Sequence, residues 1–494
     1  MAIGRDDGGI GGRALVRPPE SLVRGDVADL GLLLDECGNA FAVLWSEGQQ
    51  HAVPLHGKLV RQVLSDGLSR VLGSRPRPEE MNSLIDELDL FTRRHAPVRT
   101  LHRRVARSHD SVWIDLGKND AHPFVRIDKH GWAVVGQAEP VFVRGRSFRP
   151  LPVPASELPP VDFGRFLNVS TEHLPLLLAF AVHALCGRGP FPVLLLHGEQ
   201  GAAKSTTSRF LKALIDPSAA PVRAMPSSER DLVISAQNAW LLAYDNVSSV
   251  SNAISDALCR LATGGGLATR KLYTDADEVV FEASRPLLLN GIGQVCDRQD
   301  LLDRRLVASC PPINREQRKS ETGLCMEFEQ LRPVMLGHLF SAVSYTLKHE
   351  ENVVLNSAPR MADFARTAVA ALGYFGHNSD AILELLASNQ ADMNSVAFEA
   401  DTVAVVVDLF MESREEWKGS ATELLNALHA INEPFRSGLP RVPSQLTNGL
   451  IRCSASLRSR GIVVETGLRE GHGGQRKIRL RKNPPNFAGA AVTG

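Results

Sequence analysis

Paired cysteines are missing from this sequence. Its seven cysteines (Cys37, Cys186, Cys259, Cys296, Cys310, Cys325 and Cys453) are scattered, odd in number and without C-x-x-C spacing. That excludes a disulfide framework and the usual zinc spacing, and a reducing cytoplasm is expected. Excess charge is missing too: 55 Lys and Arg balance 55 Asp and Glu. The chain is therefore no polycation, and a nucleic-acid surface would have to come from local clustering. No apolar run approaches the roughly 18 residues that span a bilayer, so no membrane partner is expected. The opening "MAIGRDDGGIGGRALVRPPE" has no apolar segment of the kind a signal peptide carries. Aromatics make up 6% of the chain, and the basic stretch "RRHAPVRTLHRRVARSHD" (93–110) has none on which a base could stack. Among the N-terminal acids, Asp35, Glu36, Asp115, Asp120 and Asp128 form no D-x-D pair, so no primase centre is assigned. The basic stretch reads equally as a nucleic-acid contact or as a solvated helix face.

What remains is ordinary globular material, 494 residues with 44% hydrophobic and 22% charged, enough for two to four domains. Residues 1–110 hold two helix-like segments, "LHGKLVRQVLSDGLSRVL" and "RPEEMNSLIDELDLFTRRHA", and are expected to form a mixed α+β N-terminal domain. Residues 111–162 alternate like strands and end in the proline-rich "VRGRSFRPLPVPASELPPVD", read as a linker. From 163 to 320, apolar runs ("FPVLLLHG", "NAWLLAYDN", "RPLLLNGI") alternate with helical ones, the rhythm of α/β layers. Residues 321–412 read as a helical lid or linker. Residues 413–485 read as helix, helix, strand, glycine-rich turn and strand, a winged-helix pattern. A tail, 486–494, is expected to be disordered.

The most specific motif follows the first apolar run of the α/β region. Gly198-Glu199-Gln200-Gly201-Ala202-Ala203-Lys204-Ser205, then Thr206, fits G-x-x-x-x-G-K-[ST] except that Ala203 stands at the last glycine. Backbone N–H groups around such a turn, together with a helix N-terminus, attract phosphate. Lys204 would reach the β- and γ-phosphates and the Ser205 hydroxyl would ligate Mg²⁺, so ATP and Mg²⁺ are the expected cofactors. Ala203 is acceptable there if the position does not need a positive φ.

Three later positions extend the motif. "WLLAYDN" ends a buried strand in Asp245, placed to hold Mg²⁺ through water. The next residue is Asn246, where many ATPases have a glutamate that activates water. Either Asp245 serves both roles, another acid contributes, or hydrolysis is slow. Asn290 ends "SRPLLLN" and could orient water and sense the γ-phosphate, or could be a loop residue. Arg304 and Arg305 read either as a solvated pair or as arginines acting on a neighbouring subunit's nucleotide.

With these parts, "LATGGGLATRKLYTDADEVVFEASRPLLLNGI" resembles the superfamily 3 helicases, and within them the primase-helicases of phages, plasmids and poxviruses. The loop "GEQGAAKSTT", the segment "PRMADFA" (359–365) and the C-terminal "LRSRGIVVE" and "GGQRKIRL" are similar to prophage-type members. The resemblance covers roughly residues 110–482. It implies an AAA+-like P-loop ATPase core that assembles as a ring, usually a hexamer, with a hairpin carrying Arg270 and Lys271 gripping single-stranded or forked DNA. A primase or other replication partner, in a phage, plasmid or other mobile element, goes with that setting. The C-terminal cations Arg458, Arg460, Arg476 and Lys477 are the other expected DNA contacts, since between Arg452 and Lys482 only Glu465 and Glu470 oppose them. Two rival readings stand beside the motor. One is an ATP-controlled assembly switch or defence protein with little turnover, favoured by Asn246. The other is a small-molecule kinase, for which neither hairpin nor basic C-terminus is needed.

Overall fold

The computed structural model describes residues 15, 17–18, 30–46, 49–117, 123–270, 278–281, 284–291, 301, 304–314, 316, 320–355, 361–431, 438–469 and 476–482. The first unit is an antiparallel sheet, β1 (Gly31–Leu34), β2 (Ala40–Ser46) and β3 (Gln49–Pro54), covered by α1 (Lys58–Leu72) and α2 (Pro78–His95). Val60, Leu64, Met81, Ile85 and Leu88 recur at helical spacing and close its core. Pro78 opens α2, acids fill its first turn, and Arg93, Arg94 and His95 fill its last, as the helix dipole favours.

The basic stretch that follows is no solvated helix face beyond His95. It continues as β4 (Leu101–His102) and β5 (Val105–Ser108), and between them Arg104 is 1% exposed. Then come β6 (Ser111–Asp115), β7 (Phe124–Asp128) and β8 (Gly131–Val135), an antiparallel meander with β5, and β9 (Val141–Phe142), which pairs with β4. The proline-rich stretch is not a loose linker either. Leu151 is buried and its N–H donates to Leu116 O at 2.8 Å, while Ala155 N–H donates to Pro333 O at 2.9 Å. Leu158 lies so close to Gly337 that a β-carbon there would collide with it. Proline keeps the segment extended, and its remaining groups dock on a long helix far along the chain.

The central layer is built from α3 (Leu174–Cys186), β10 (Val193–His197), α4 (Lys204–Ile215), α5 (Glu229–Asn238), β11 (Leu242–Tyr244), α6 (Asn252–Thr263), the hairpin β12 (Leu267–Arg270) and β13 (Glu278–Phe281), β14 (Leu287–Gly291) and β15 (Arg305–Ser309). Strands β11, β14, β10 and β15 lie side by side in that order, all parallel. Both faces are covered, which is why the strands read as unbroken apolar runs. Leu194, Leu196, Leu288 and Leu306 face α3 and α4, whereas Val193, Leu195, Leu287 and Leu289 face α5 and α6. The open edge of β15 is closed by one side chain. Asn389 Nδ2 donates to Val307 O at 2.7 Å and its Oδ1 accepts from Val307 N–H at 3.0 Å, as a neighbouring strand would.

Asn389 belongs to the third of three helices that follow, α7 (Glu321–His349), α8 (Ala362–Tyr374) and α9 (Ser379–Ala400). The C-terminal unit is α10 (Thr402–Met411), β16 (Glu416–Ser420), α11 (Ala421–His429), α12 (Pro443–Ser459), β17 (Ile462–Leu468) and β18 (Lys477–Lys482), with sheet order β16-β18-β17. Val403, Val407 and Phe410 of α10 pack in its core with Leu424, Leu446 and Leu450. The unit therefore begins at α10, ahead of residue 413, because the buried face of α10 is completed by α11 and α12. Among the described residues, no helix is long and apolar enough to cross a membrane.

Candidate functional site

The loop 198–203 joins β10 to α4 at the C-terminal end of the parallel strands, where ligands of open α/β sheets sit. Its shape depends on close approaches. A β-carbon on Gly198 would meet Cys310 O at 2.5 Å, so the position takes only glycine. Burial pushes the Cys310 thiol up to about 12, against a smaller opposing pull from Lys204, so the thiol is neutral. Gly201 has φ +84° and Ala203 φ +52°. The condition under which alanine suits this position, that it need no positive φ, is thus not met. The chain must turn left-handed to start α4 here, and alanine accepts that at a cost of about 1–2 kcal/mol.

Lys204 is 9% exposed, and its Nζ donates to the carbonyls of Gly198 and Glu199, both at 2.7 Å. Among the described residues no carboxylate pairs with it. Beside it, Ser205 Oγ donates to Asp245 Oδ1 at 2.8 Å, which brings together two groups 40 positions apart. A hydroxyl and a carboxylate in contact are a donor set that fits Mg²⁺, a cation that takes one or two protein oxygens and completes its shell with water and phosphate. Among the described residues there is no cluster of three or more His, Cys, Asp or Glu, so nothing suggests an all-protein metal cage.

Asn246 has φ +53°, a conformation asparagine tolerates. Its N–H donates to Asn290 Oδ1 at 2.9 Å, and Asn290 Nδ2 donates to Ser208 Oγ at 2.9 Å. Asn290 is 1% exposed. Its amide thus braces α4 against the strand end that carries Asp245, and a role toward water or phosphate would require exchanging one of these bonds.

Sequence reasoning missed Asn168. Its Nδ2 donates to Ala202 O at 3.0 Å and Pro311 O at 2.9 Å, and its N–H donates to Thr207 Oγ1 at 3.1 Å. One side chain thereby ties the loop to the segment after β15. His173 Nδ1 accepts from Ser309 N–H at 3.2 Å and lies 2.9 Å from Ser170 Oγ. Neither residue lies in a recognisable motif.

Arg304 and Arg305 lie elsewhere. Arg305 pairs with Val193 while Ser309 pairs with His197, so the two arginines sit at the other end of the strands, about 13 Å along them. Arg305 is 6% exposed and Arg304 is half-buried. The hairpin strands form as expected, with Arg270 opposite Glu278. Lys271 lies outside the described residues. In the C-terminal unit, Arg460 faces Asp408 at 3.7 Å and lies over the Phe398 ring at 4.4 Å. Lys477 opens β18, and Arg458 and Arg476 are exposed without an acid partner among the described residues.

Residues 161–382 match the family described as the actinomycete integrative conjugative element replication protein, and residues 403–490 match that element's RepA C-terminal domain. Both descriptions are those of a mobile-element replication protein. The second match begins within α10, in step with the packing of that helix into the C-terminal core. No curated protein matches the chain. Two apo structures of the NrS-1 C-terminal region align over 92% and 91% of this chain and 96% of theirs, at 11% and 12% identity, each with a TM-score of 0.41. A likeness at that score carries nothing further.

Proposed function

We propose that this replication protein binds ATP with Mg²⁺ at the 198–205 loop and hydrolyses it to move along DNA as a ring-forming, superfamily 3-type helicase with an AAA+-like core, a helical lid and a C-terminal winged helix. The observation that carries this reading is Lys204, a buried ammonium held by two loop carbonyls without a carboxylate, next to the Ser205–Asp245 contact. A buried cation without an anion favours an anionic ligand. Lys204 and the amides at the start of α4 would bind the phosphates, and Ser205 and Asp245 would hold the metal. When bound, Mg²⁺ supplies charge neutralisation on the phosphate oxygens. Asp245 is the acid placed to orient attacking water, Asn290 keeps the strand ends in register, and Arg304 is offered to the adjoining subunit. The β12–β13 hairpin, with Arg270 and Lys271, would track a single strand through the ring.

A second reading is an ATP-controlled assembly switch with little turnover. Asn246 favours it, since the residue after Asp245 brings no carboxylate. ATP hydrolysis with and without single-stranded DNA, in the native chain and in Lys204→Ala, separates the two. Turnover that DNA stimulates and the substitution abolishes supports the motor. Tight ATP binding without turnover sinks it and leaves the switch.

A further inference from the structure

We propose that Asn168 is a positioning residue for the nucleotide site, resting on the reading of the 198–203 loop as the place where ATP binds. It would hold that loop in its phosphate-binding shape from outside the motif. Through the outer edge of β15 it would also make the shape of the loop depend on how α9 is docked.

A glycine-rich loop keeps one shape only through bonds to its surroundings. Among the described residues, two side chains bond to carbonyls of this loop. Lys204 Nζ takes those of Gly198 and Glu199, and Asn168 Nδ2 takes that of Ala202. The two differ once phosphate arrives. An ammonium drawn towards phosphate loosens its hold on the carbonyls, whereas the amide carries no charge for phosphate to attract. Both amide hydrogens are in use, one on Ala202 O at 3.0 Å and one on Pro311 O at 2.9 Å. Ala202 is 1% exposed, so water has little access to compete for that bond.

Asn168 is itself held by elements other than the loop. Its N–H donates to Thr207 Oγ1 of α4 at 3.1 Å. Two residues earlier, Phe166 packs edge-on against Phe210 of α4 and Phe328 of α7, with ring centroids 6.1 and 5.5 Å apart. The segment then runs along β15. Arg304 O and Cys310 N–H bond to the β10 side, so Val307 and Ser309 turn their N–H and C=O groups to the outer edge. On that edge α9 takes the first position and the Asn168 segment takes the next. Asn389 brackets Val307, while Ser309 O accepts from Ser170 N–H at 2.9 Å and Ser309 N–H reaches His173 Nδ1. The two anchors are roughly 7 Å apart on one strand. That strand leads directly to Pro311, whose carbonyl shares the Asn168 amide with Ala202. A movement of α9 that carries β15 with it thus reaches the loop through one amide.

The test reads the equilibrium ATP affinity of the full chain with Mg²⁺ and without DNA, so it needs no turnover. Asn168→Ala should raise the ATP Kd about 10-fold, as expected for the loss of two modest hydrogen bonds. Asn168→Leu keeps the volume without the donors and should match alanine, which separates bonding from packing. A merely structural Asn168 would lower stability in urea while the folded protein bound ATP normally. Asn389→Ala should raise the Kd several-fold in the native chain but by less than about twofold in Asn168→Ala, because the amide that carries its effect is already gone. Asn389→Asp keeps the bond from Val307 N–H and loses the other, and it gives the same readout should the alanine variant fail to fold. Native affinity in Asn168→Ala, with binding still abolished in Lys204→Ala, overturns the proposal and leaves the proposed function standing. Equal effects of Asn389→Ala in the two backgrounds overturn the link through β15. No ATP binding by the native chain defeats the nucleotide reading, and this inference falls with it.

Discussion

The two ends of α4 each hold a buried lysine, and the lysines are in opposite circumstances. At the N-terminus, Lys204 donates to two carbonyl oxygens and pairs with no carboxylate among the described residues. At the C-terminus, Lys212 is 2% exposed and donates to Asp216 Oδ2 and Leu241 O, both at 2.7 Å. Asp216 also takes Arg104 Nε at 3.1 Å and the N–H groups of Trp240 and Leu241 at 2.9 and 3.2 Å. Arg104 in turn donates to Asp115 O at 2.6 Å, and Asp115 is bridged to Arg144 at 2.8 Å. One lysine is a fixed strut that pins the helix to β11 and to the β5–β8 meander. The other is a cation left open. A buried charge with its anion belongs to the scaffold, and a buried charge without one favours an anionic ligand.

The largest expected effect breaks the strut. Asp216→Ala would leave Lys212 and Arg104 buried without an anion, and about 3–5 kcal/mol of stability should disappear. Lys204→Ala, at a site of similar burial, should lower the unfolding free energy measured in urea by less than about 1 kcal/mol. Equal losses at the two ends would erase the distinction. The next effect concerns the open end. ATP with Mg²⁺ at about 100 times its Kd should stabilise the native chain by about 2.7 kcal/mol. The same addition should leave Lys204→Ala unmoved in a thermal shift. A shift retained in that variant would place the nucleotide elsewhere.

Acid should weaken the strut. Burial works to raise the Asp216 pKa, but Lys212 and Arg104 outweigh it and hold the carboxyl at about 2. A folded value below the unfolded one means the stabilisation is complete above about pH 4 and is lost as pH falls through 2. The contribution is about 2 kcal/mol over that window. Asp216→Asn should be less stable at pH 7, with a shallower acid limb than the native chain. Parallel limbs in the two proteins would show that Asp216 does not titrate as a buried pair.

What the sequence made legible follows the range of each interaction. The apolar strands, the loop with Lys204 and Ser205, and the helix–helix–strand–strand C-terminus are local patterns, read from neighbours. Asn168 and Asn389 were invisible because their partners lie 143 and 82 residues away in the chain. An asparagine with a distant partner looks like any other. Arg104 misled for the same reason. It stands among arginines that read as a surface, yet its acid partner is 112 residues on. The proline-rich stretch looked like a linker because composition reports backbone stiffness and not the α7 face that receives it.

The smallest expected effect tests the one strained position of the open end. Ala203 adopts φ +52° at the N-terminus of α4, directly before Lys204. Alanine costs about 1–2 kcal/mol in this region, and glycine removes that cost while giving the unfolded chain about 0.4–1 kcal/mol of extra entropy. Ala203→Gly should therefore gain about 0.5–1 kcal/mol in the folded state. ATP affinity separates two uses of the strain. If alanine merely occupies a glycine position, affinity is unchanged and the gain appears in the urea midpoint alone. If the methyl holds the loop in its bound shape, the variant gains stability without ligand and binds ATP several-fold more weakly, because the looser loop must be ordered on binding. A loss of stability would mean that the left-handed turn at Ala203 is not the conformation of the protein in solution, and the start of α4 would have to be redrawn with it.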